Sequence, residues 1–409
     1  MHITAQTWQF IADHEGENVQ KLALQAKRDS ELDLPFALDQ IRGREIARHK
    51  LPQWAAIPNM IYPPHLAMEQ CSSEATALHK VQLAQRLLAQ TDTPANAMVD
   101  LTGGFGVDFS YLARLFASAT YVERQEQLCT ITEHNMRELG LAQAHIVHED
   151  STEYVRTMDP VDLIYIDPAR RDAAGARTFA IEDCTPNVLE LWPTFLEKSP
   201  VTLIKLSPML DWRKTVRDFA PHVALVSIIS VGNECKELVV GLTRESHDRI
   251  EVICINNDDQ FEFFADNSGS IIPDQSPEIV EQLQQDQWKY LYEPNVSLMK
   301  AGCYELLEQR YGARQIDTNS HILVSDRHIA DFPGRTFRIE SVGTMNKKSI
   351  RSQFAGITHA NVAVRNFPLT AVQLAKKLKL KDGSDTYVFG TTAHGQHLLL
   401  VCAKATQEA

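Results

Sequence analysis

The hydrophobic pattern of the chain begins with two segments whose apolar residues recur at helical spacing. These segments are "GENVQKLALQA" and "EATALHKVQLAQRLLAQ". Ser72 and Ser73 precede the second segment and predict its N-cap. Between the two segments, "LPQWAAIPNMIYPPHL" contains too many prolines for a continuous helix and predicts an extended connector. We therefore predict an N-terminal helical region over residues 1–90.

From about Asn96, short apolar runs alternate with helical segments. The runs predicted to be strands are "AMVDL", "ATYVE", "AHIVHED", "VDLIYID", "VTLIKLS", "HVALVSIIS" and "ELVVGLTR". The central runs are almost entirely apolar, which is typical of parallel strands buried on both faces. "VGNECK" separates the last two runs and predicts an antiparallel hairpin at the sheet edge. The alternation predicts a doubly wound α/β domain over residues 91–250.

The last part of the chain has a mixed pattern. "NNDDQFEFFADNSGSIIPDQSPE" predicts one or two strands and a loop, and the following residues to Gly312 are mostly helical in pattern, interrupted at 293–295. From about Ile322, strand-like runs surround the helical segment "LTAVQLAKKLKL". We predict a connecting region over 251–330 and a small C-terminal α+β domain over 331–409.

The 409 residues carry a net charge of −13, which argues against a protein that coats nucleic acid indiscriminately. Residues 335–409 contain 11 Lys/Arg against 4 Asp/Glu, a local charge of +7 that leaves −20 for residues 1–334. A basic module on an acidic body is typical of a nucleic-acid-binding arm, and a solvated charged face remains the alternative.

The composition also bears on location and metals. The N-terminus lacks a signal-peptide pattern, and no apolar run approaches the roughly 20 residues of a membrane span. The seven cysteines form no CxxC pair, so reduced thiols are favoured over disulfides or a zinc site. We therefore predict a soluble cytoplasmic protein with no membrane partner and no metal.

"DLTGGFGVDF" contains a candidate ligand-binding turn, with three glycines in four positions after the first strand. It lacks the GK of a P-loop, and Phe109 stands where a dinucleotide fold needs a third small residue. Asp100 and Asp108 flank the turn and would repel a pyrophosphate. Opposite charges about 4 Å apart gain roughly 4 kcal/mol at an effective dielectric near 20. The turn therefore favours the ammonium and sulfonium of S-adenosylmethionine.

Two further carboxylates follow the next strands. Glu123 lies twenty residues after Gly103, near the offset at which a carboxylate meets ribose hydroxyls. Asp150 ends the third strand, where it could accept the adenine amino group. An acidic residue in an exposed βα loop is the alternative for each, and the register of both with the glycine turn favours the binding role.

At these spacings, four motifs together resemble the strand-end motifs of class I S-adenosylmethionine-dependent methyltransferases. They are "VDLTGGFG", "YVERQEQL", "HEDS" and "DLIYIDPAR", and the resemblance covers residues 95–245. It implies a Rossmann-like, doubly wound, seven-stranded sheet, with Thr102 in place of the first motif glycine. The cofactor-binding residues that it implies are Asp100, Thr102, Gly103, Gly104, Gly106, Glu123, Arg124, Asp150 and Ser151.

"IDPAR" resembles the Asp/Asn-Pro-Pro-Tyr and Asp-Pro-Pro-Arg motifs of methyltransferases that act on bases. The resemblance implies that Asp167 accepts a hydrogen bond from an exocyclic amine and that Pro168 fixes the backbone. Ala169 and Arg170 replace Pro-Tyr, so the usual aromatic stacking partner is missing and the target atom stays open. Arg170 and Arg171 are predicted to contact phosphate or a base, with ion pairs to neighbours such as Asp172 as the alternative.

Other residues of this domain are weaker candidates. A carbon-5 pyrimidine methyltransferase needs a nucleophilic cysteine, but neither Cys184 nor Cys235 has the typical sequence setting, so both are predicted to be structural thiols. The strand-end residues predicted to contact substrate are Lys205, Ser207, Asn233 and Glu234.

A second resemblance concerns the C-terminal region. "VAVRNFPLTAVQLAKKLKLKDGSDTYVFGTT", with "YLYEPNVSLMKAG" and "MEQCSSEATALHK", is similar to bacterial methyltransferases that carry a ferredoxin-like insert and a THUMP-like domain. THUMP domains bind RNA, which implies RNA contacts by Lys376 and Lys377. The predicted function is methylation of a base of tRNA or rRNA, with an exocyclic amine favoured. The alternatives are an RNA-binding module with a non-catalytic methyltransferase domain and a protein or small-molecule methyltransferase.

Overall fold

The computed structural model describes residues 3–25, 31–169, 181–274 and 283–405. The chain divides into two compact units. The first comprises 1–231, 235–253 and 264–270, and the second comprises 232–234, 254–263 and 271–409. Among the helices described, none combines the length and apolar character that crossing a membrane requires.

Helices make up the N-terminal region. They are α1 (Ala5–Asp13), α2 (Val19–Gln25), α3 (Leu34–Lys50), α4 (Pro52–Ala55), α5 (His65–Gln70) and α6 (Glu74–Gln90). The predicted N-cap of α6 is confirmed, since the Ser73 hydroxyl accepts the Thr76 N–H at 3.2 Å. The extended connector is wrong in part, because Pro52 begins α4. The fixed φ of proline suits the first turn of a helix, where its missing N–H costs nothing.

A mixed ten-stranded sheet follows, with the order β10-β9-β8-β6-β7-β5-β4-β1-β2-β3. Its strands are β1 (Ala97–Asp100), β2 (Ser118–Glu123), β3 (Ala144–His148), β4 (Leu163–Ile166), β5 (Val201–Leu206), β6 (Val223–Val231), β7 (Glu234–Thr243), β8 (Ile250–Asn256), β9 (Asp259–Ala265) and β10 (Ile271–Ile272). The intervening helices are α7 (Val107–Leu112), α8 (Glu126–Glu138), α9 (Ser151–Thr157), α10 (Val188–Lys198) and α11 (Trp212–Phe219).

The predicted α/β class is confirmed, and all seven predicted strands are present. Strands β1 to β5 pair in parallel, whereas β7 is antiparallel to β5. Every residue of β4 is buried, as the apolar run indicates. The β6–β7 hairpin does not lie at the sheet edge, because β8, β9 and β10 extend the sheet beyond β6.

The parallel strands β1 to β4 end at one edge of the sheet, which we call the carboxyl edge. Strand β1 lies between β2 and β4, because the chain runs from β1 outward through β2 to β3 and then crosses back to β4 on the other side of β1. Open α/β sheets bind ligands at such a switch point, outside the carboxyl ends of the strands.

The second unit contains a seven-stranded sheet with the order β12-β13-β11-β14-β17-β16-β15. Its elements are β11 (Tyr290–Pro294), α12 (Val296–Ala301), α13 (Tyr304–Tyr311), β12 (Arg314–Gln315), β13 (Leu323–Ser325), β14 (Gly334–Thr344), α14 (Lys347–Gln353), β15 (Asn361–Arg365), α15 (Ala371–Leu378), β16 (Thr386–Ala393) and β17 (Gln396–Lys404). The helical prediction is wrong for β11, which pairs with β13 and β14 and buries Leu291 and Tyr292.

Helices α14 and α15 share one hydrophobic core in this unit. Ile350 and Phe354 of the α14 segment join Leu374 and Leu378 of α15 in a cluster with strand residues such as Val388. Helix α14 was not among the predicted elements; its N-cap is Asn346, whose side-chain oxygen accepts the Ser349 N–H at 2.8 Å.

Candidate active site

The glycine turn after β1 depends on close packing against β2. A Cβ on Gly103 would lie 2.0 Å from a ring carbon of Tyr121, so only glycine fits there. The Tyr121 hydroxyl in turn donates a hydrogen bond to the Gly104 carbonyl oxygen. Gly104 and Gly106 have φ angles of +52° and +80°, which side chains rarely adopt. The three glycines are therefore required for space at one position and for backbone conformation at two.

Gly104 leaves room beside the turn. A Cβ placed there would contact nothing nearer than the Thr102 carbonyl oxygen, at 3.7 Å. A ligand could approach the backbone in the space that a side chain would otherwise fill.

Asp100, the last residue of β1, has a buried carboxylate. It is 1% exposed, and its Oδ1 accepts the Thr102 N–H at 2.9 Å. Burial raises the pKa of Asp100 well above its usual range; the Thr102 N–H opposes this rise, and nearby carboxylates, led by Asp108 and Asp167, add to it. A cationic group bound beside Asp100 would favour its ionised form.

Glu123, the last residue of β2, ties the turn to the neighbouring strand. It is 9% exposed; its Oε2 accepts the Gly104 N–H at 3.0 Å and its Oε1 accepts the Gln125 N–H at 2.9 Å. Each oxygen keeps a lone pair with which it could accept a ligand hydroxyl. The Arg124 side chain is exposed, and its carbonyl oxygen lies 3.0 Å from His148 Nε2 at the end of β3.

Asp150 and Ser151 lie at the start of α9, after β3. Asp150 is exposed and caps the helix, since its Oδ1 accepts the Thr152 N–H at 2.8 Å. Ser151 is half-buried. The carboxyl edge thus brings together Asp100, Glu123 and Asp150 from three adjacent strand ends.

Asp167 follows β4 and is held at two points. Its N–H donates to the Thr102 hydroxyl at 2.6 Å, and its Oδ2 accepts a hydrogen bond from Lys205 Nζ at 2.6 Å. The Asp167 side chain remains 37% exposed, so the carboxylate is still accessible. Thr102, which departs from the usual glycine, therefore connects the glycine turn to the Asp-Pro motif. Pro168 is buried beside it.

The remaining predicted residues have different surroundings. Arg170 and Arg171 lie outside the described residues. The Asn233 side-chain oxygen accepts the Val296 N–H at 2.9 Å in the second unit, so substrate contact by Asn233 stays a prediction. Lys376 and Lys377 are exposed in the last turn of α15.

The weaker candidates are mostly engaged or buried. The Ser207 hydroxyl accepts the Met209 N–H at 3.2 Å. Cys184 is buried and Cys235 is half-buried. Sequence reasoning missed the support that Tyr121 gives to the turn, because an aromatic residue inside a strand looks like ordinary core.

The chain is similar to known proteins over most of its length. Residues 334–404 match the family model of a THUMP domain-like module, and residues 290–333 match that of a ferredoxin-like domain. The crystal structure of a "putative methyltransferase" from Porphyromonas gingivalis W83 matches with 28% identity and a TM-score of 0.81, covering 98% of each chain. The resemblance to methyltransferases with a THUMP-like domain is confirmed.

Smaller solved structures match only part of the chain. An rRNA methylase from Streptococcus thermophilus covers 40% of this chain and 95% of its own, with 16% identity and a TM-score of 0.30. A SAM-dependent methyltransferase from Agrobacterium tumefaciens covers 41% of this chain and 62% of its own, with 17% identity and a TM-score of 0.31. No curated protein matches the chain significantly.

Proposed function

We propose that this protein is an S-adenosylmethionine-dependent methyltransferase that methylates a base of tRNA or rRNA, with an exocyclic amine as the favoured acceptor. The observation that carries the proposal is the buried carboxylate of Asp100 beside an open glycine turn. This combination favours a cationic ligand and disfavours a pyrophosphate.

The described residues fit the cofactor. Asp100 would pair with the methionyl ammonium, while the Thr102–Gly106 backbone would approach the methionyl chain. Glu123 would accept ribose hydroxyls, with Arg124 beside it, and Asp150 with Ser151 would meet the adenine ring. When bound, S-adenosylmethionine supplies an electrophilic methyl group on a positively charged sulfur.

Asp167 is the proposed catalytic residue. Lys205 occupies one of its carboxylate oxygens, and the other would accept an N–H of the acceptor amine. That hydrogen bond would orient the nitrogen lone pair towards the methyl group, with Pro168 holding the backbone. The contribution is positioning and electrostatics, which requires no covalent intermediate.

The THUMP-like domain supports RNA as the substrate. Lys376 and Lys377 are exposed, and the described residues offer them no ion-pair partner. We propose that they contact RNA phosphates. Such contacts would make RNA binding strongly dependent on salt concentration.

The test is mass spectrometry of nucleosides from total tRNA and rRNA of cells with and without the gene. We expect one methylated nucleoside to disappear, to return with the wild-type gene and to stay absent with the Asp167→Ala gene. A nucleoside profile unchanged by deletion of the gene would overturn RNA methylation as the function.

A further inference from the structure

Part of the N-terminal segment "MEQCSSEATALHK" lies in the interior beneath the candidate active site. Lys80 is fully buried, with its Nζ 3.1 Å from both the Ser72 hydroxyl and Asp108 Oδ1. It also forms a close ion pair with Glu237 of β7. The Ser72 hydroxyl lies 2.7 Å from Asp108 Oδ2 and 3.2 Å from Glu237 Oε1.

Lys205 lies on the other side of the same two carboxylates. Its Nζ is 3.9 Å from Glu237 Oε1, 4.0 Å from Asp108 Oδ2 and 2.6 Å from Asp167 Oδ2. The charges therefore alternate in sign from Lys80, through the carboxylates of Asp108 and Glu237, to Lys205 and finally Asp167. Only the last member is substantially exposed, at 37% against 11% for the Lys205 side chain.

Burial of this many charges is a poor route to stability, because desolvation offsets most of the attraction between them. The arrangement instead fixes the ammonium of Lys205. Burial works to lower the pKa of Lys205, but Asp167, Glu237 and Asp108 outweigh it and raise that pKa. The three carboxylates near Lys205 Nζ therefore favour its protonated form and its contact with Asp167.

We propose that Lys205 is a positioning residue that keeps Asp167 ionised and commits its Oδ2, so that Oδ1 alone faces the methyl acceptor. Ser72 and Lys80 of the N-terminal region hold Lys205 indirectly, through Asp108 and Glu237. This inference rests on the proposed function and narrows its substrate class. An ionised Asp167 can only accept hydrogen bonds, so the group beside it must present a donor, an N–H or an O–H, rather than a carbonyl oxygen.

The charges around Asp167 determine the direction in which its pKa should move when Lys205 is replaced. Burial raises the pKa of Asp167, the ion pair and hydrogen bond with Lys205 oppose this rise, and Asp108 and Glu237 add to it. Among the described residues, the other titratable groups near this cluster are Cys71, Asp100, Glu123 and Tyr165. When the Lys205 charge is removed, nothing from that residue counteracts the effect of Asp108 and Glu237 on Asp167. The pKa of Asp167 should therefore rise.

The direct test is ¹³C NMR titration of full-length protein labelled at the aspartate carboxyl carbons, with Asp167→Asn used to assign the signal. We expect Lys205→Met to raise the titration midpoint of Asp167 by about one pH unit or more, whereas Lys205→Arg should nearly restore it. Lys205→Met/Glu237→Gln keeps the local charge balance and serves if the single variant fails to fold; its Asp167 midpoint should still rise, but by less, because Glu237 itself raises the pKa of Asp167. Lys214→Met, which removes an exposed lysine, is the matched control.

A second measurement follows methyl transfer against pH, with total tRNA and rRNA from cells that lack the gene as acceptors. Lys205→Met should move the acid limb of the rate to higher pH, while affinity for S-adenosylhomocysteine changes by less than about threefold. Absence of RNA methylation by the wild-type enzyme would count against the proposed function, and the NMR titration would still decide the role of Lys205. An Asp167 midpoint that is the same in wild type and Lys205→Met would overturn the inference.

Discussion

The carboxyl edge of the first sheet and the helical face of the THUMP-like domain use charge in opposite ways. At the carboxyl edge, Asp100, Glu123 and Asp167 are tied to backbone N–H groups or to Lys205, and each has a fixed direction. On α15, Lys376 and Lys377 are exposed and have no ion-pair partner within the described part of the chain. Fixed, desolvated charges suit recognition of one ligand geometry, whereas exposed cations suit a polyanion of many conformations.

The strongest test of this contrast is Asp167→Ala. We expect methyl transfer to RNA to fall by about 10²-fold to 10³-fold, because the acceptor loses its orienting hydrogen bond. Affinity for S-adenosylhomocysteine should change by less than about threefold, since Asp167 lies on the acceptor side. Asp159→Ala, at an exposed position, is the control and should leave both quantities unchanged. Retained methyl transfer in Asp167→Ala would remove Asp167 from the mechanism.

Asp100→Asn tests the cofactor side. The amide keeps an oxygen for the Thr102 N–H but loses the charge, so affinity for S-adenosylmethionine should fall by about 10-fold to 100-fold, measured by calorimetry. For the wild type, affinity should increase as pH rises through the raised pKa of Asp100, because only the ionised carboxylate attracts the ammonium. An affinity for S-adenosylmethionine that is independent of both the substitution and pH would contradict this role.

The same substitution has an opposite expected effect on stability. The pKa of Asp100 is raised on folding, so the folded state binds the proton more tightly and stability falls as pH rises from the unfolded pKa through the folded one. At neutral pH, Asp100→Asn should therefore raise the unfolding temperature while it weakens cofactor binding. A lower unfolding temperature would show that burial of the Asp100 charge is compensated in the free protein.

Gly103→Ala tests whether the turn depends on its packing against Tyr121. The added methyl group would overlap the ring, so the free energy of unfolding should fall by about 1–3 kcal/mol and cofactor binding should weaken. Urea denaturation would measure the change in stability. The double variant Gly103→Ala/Tyr121→Leu provides room for the methyl group and should be less destabilised than the sum of its single changes. Strict additivity would contradict the packing argument.

The smallest expected effect comes from the lysine side of the comparison. Lys376→Gln/Lys377→Gln should weaken RNA binding by roughly threefold to tenfold at moderate salt and reduce the slope of log affinity against log salt by about 1 to 2. Methyl-donor affinity should not change. Lys289→Gln/Lys404→Gln, two exposed lysines outside α15, is the matched control. An unaltered salt slope in the α15 variant would exclude phosphate contacts by Lys376 and Lys377.

The sequence predicted the parts of this molecule that depend on local patterns. Strands β1 to β7 could be predicted because each contains a short apolar run. The N-cap at Ser73 could be predicted because a cap is formed by residues close together in the sequence. The carboxylates of Asp100 and Asp108 beside the glycine turn were recognisable for the same reason, but the ion pair of Asp108 with Lys80 was not.

Contacts between residues far apart in the sequence could not be predicted. The segment Tyr290–Pro294 forms a strand because β13 and β14 pair with it, and its own pattern did not distinguish it from helix. Lys205 and Asp167 are separated by 38 residues, and Lys80 and Glu237 by 157, so no local spacing connects them. The strand-end position of Lys205 suggested a substrate contact, whereas the fold surrounds its ammonium with carboxylates.

The central claim is that the turn after β1, which lies between the buried carboxylates of Asp100 and Asp108, binds the sulfonium cofactor S-adenosylmethionine and does not bind polyphosphates. Isothermal titration calorimetry of the purified full-length protein with S-adenosylmethionine, S-adenosylhomocysteine, NAD and ATP tests it directly. We predict binding of the first two compounds and no measurable binding of NAD or ATP. Tight binding of NAD or ATP, with neither S-adenosyl compound bound, would contradict the account.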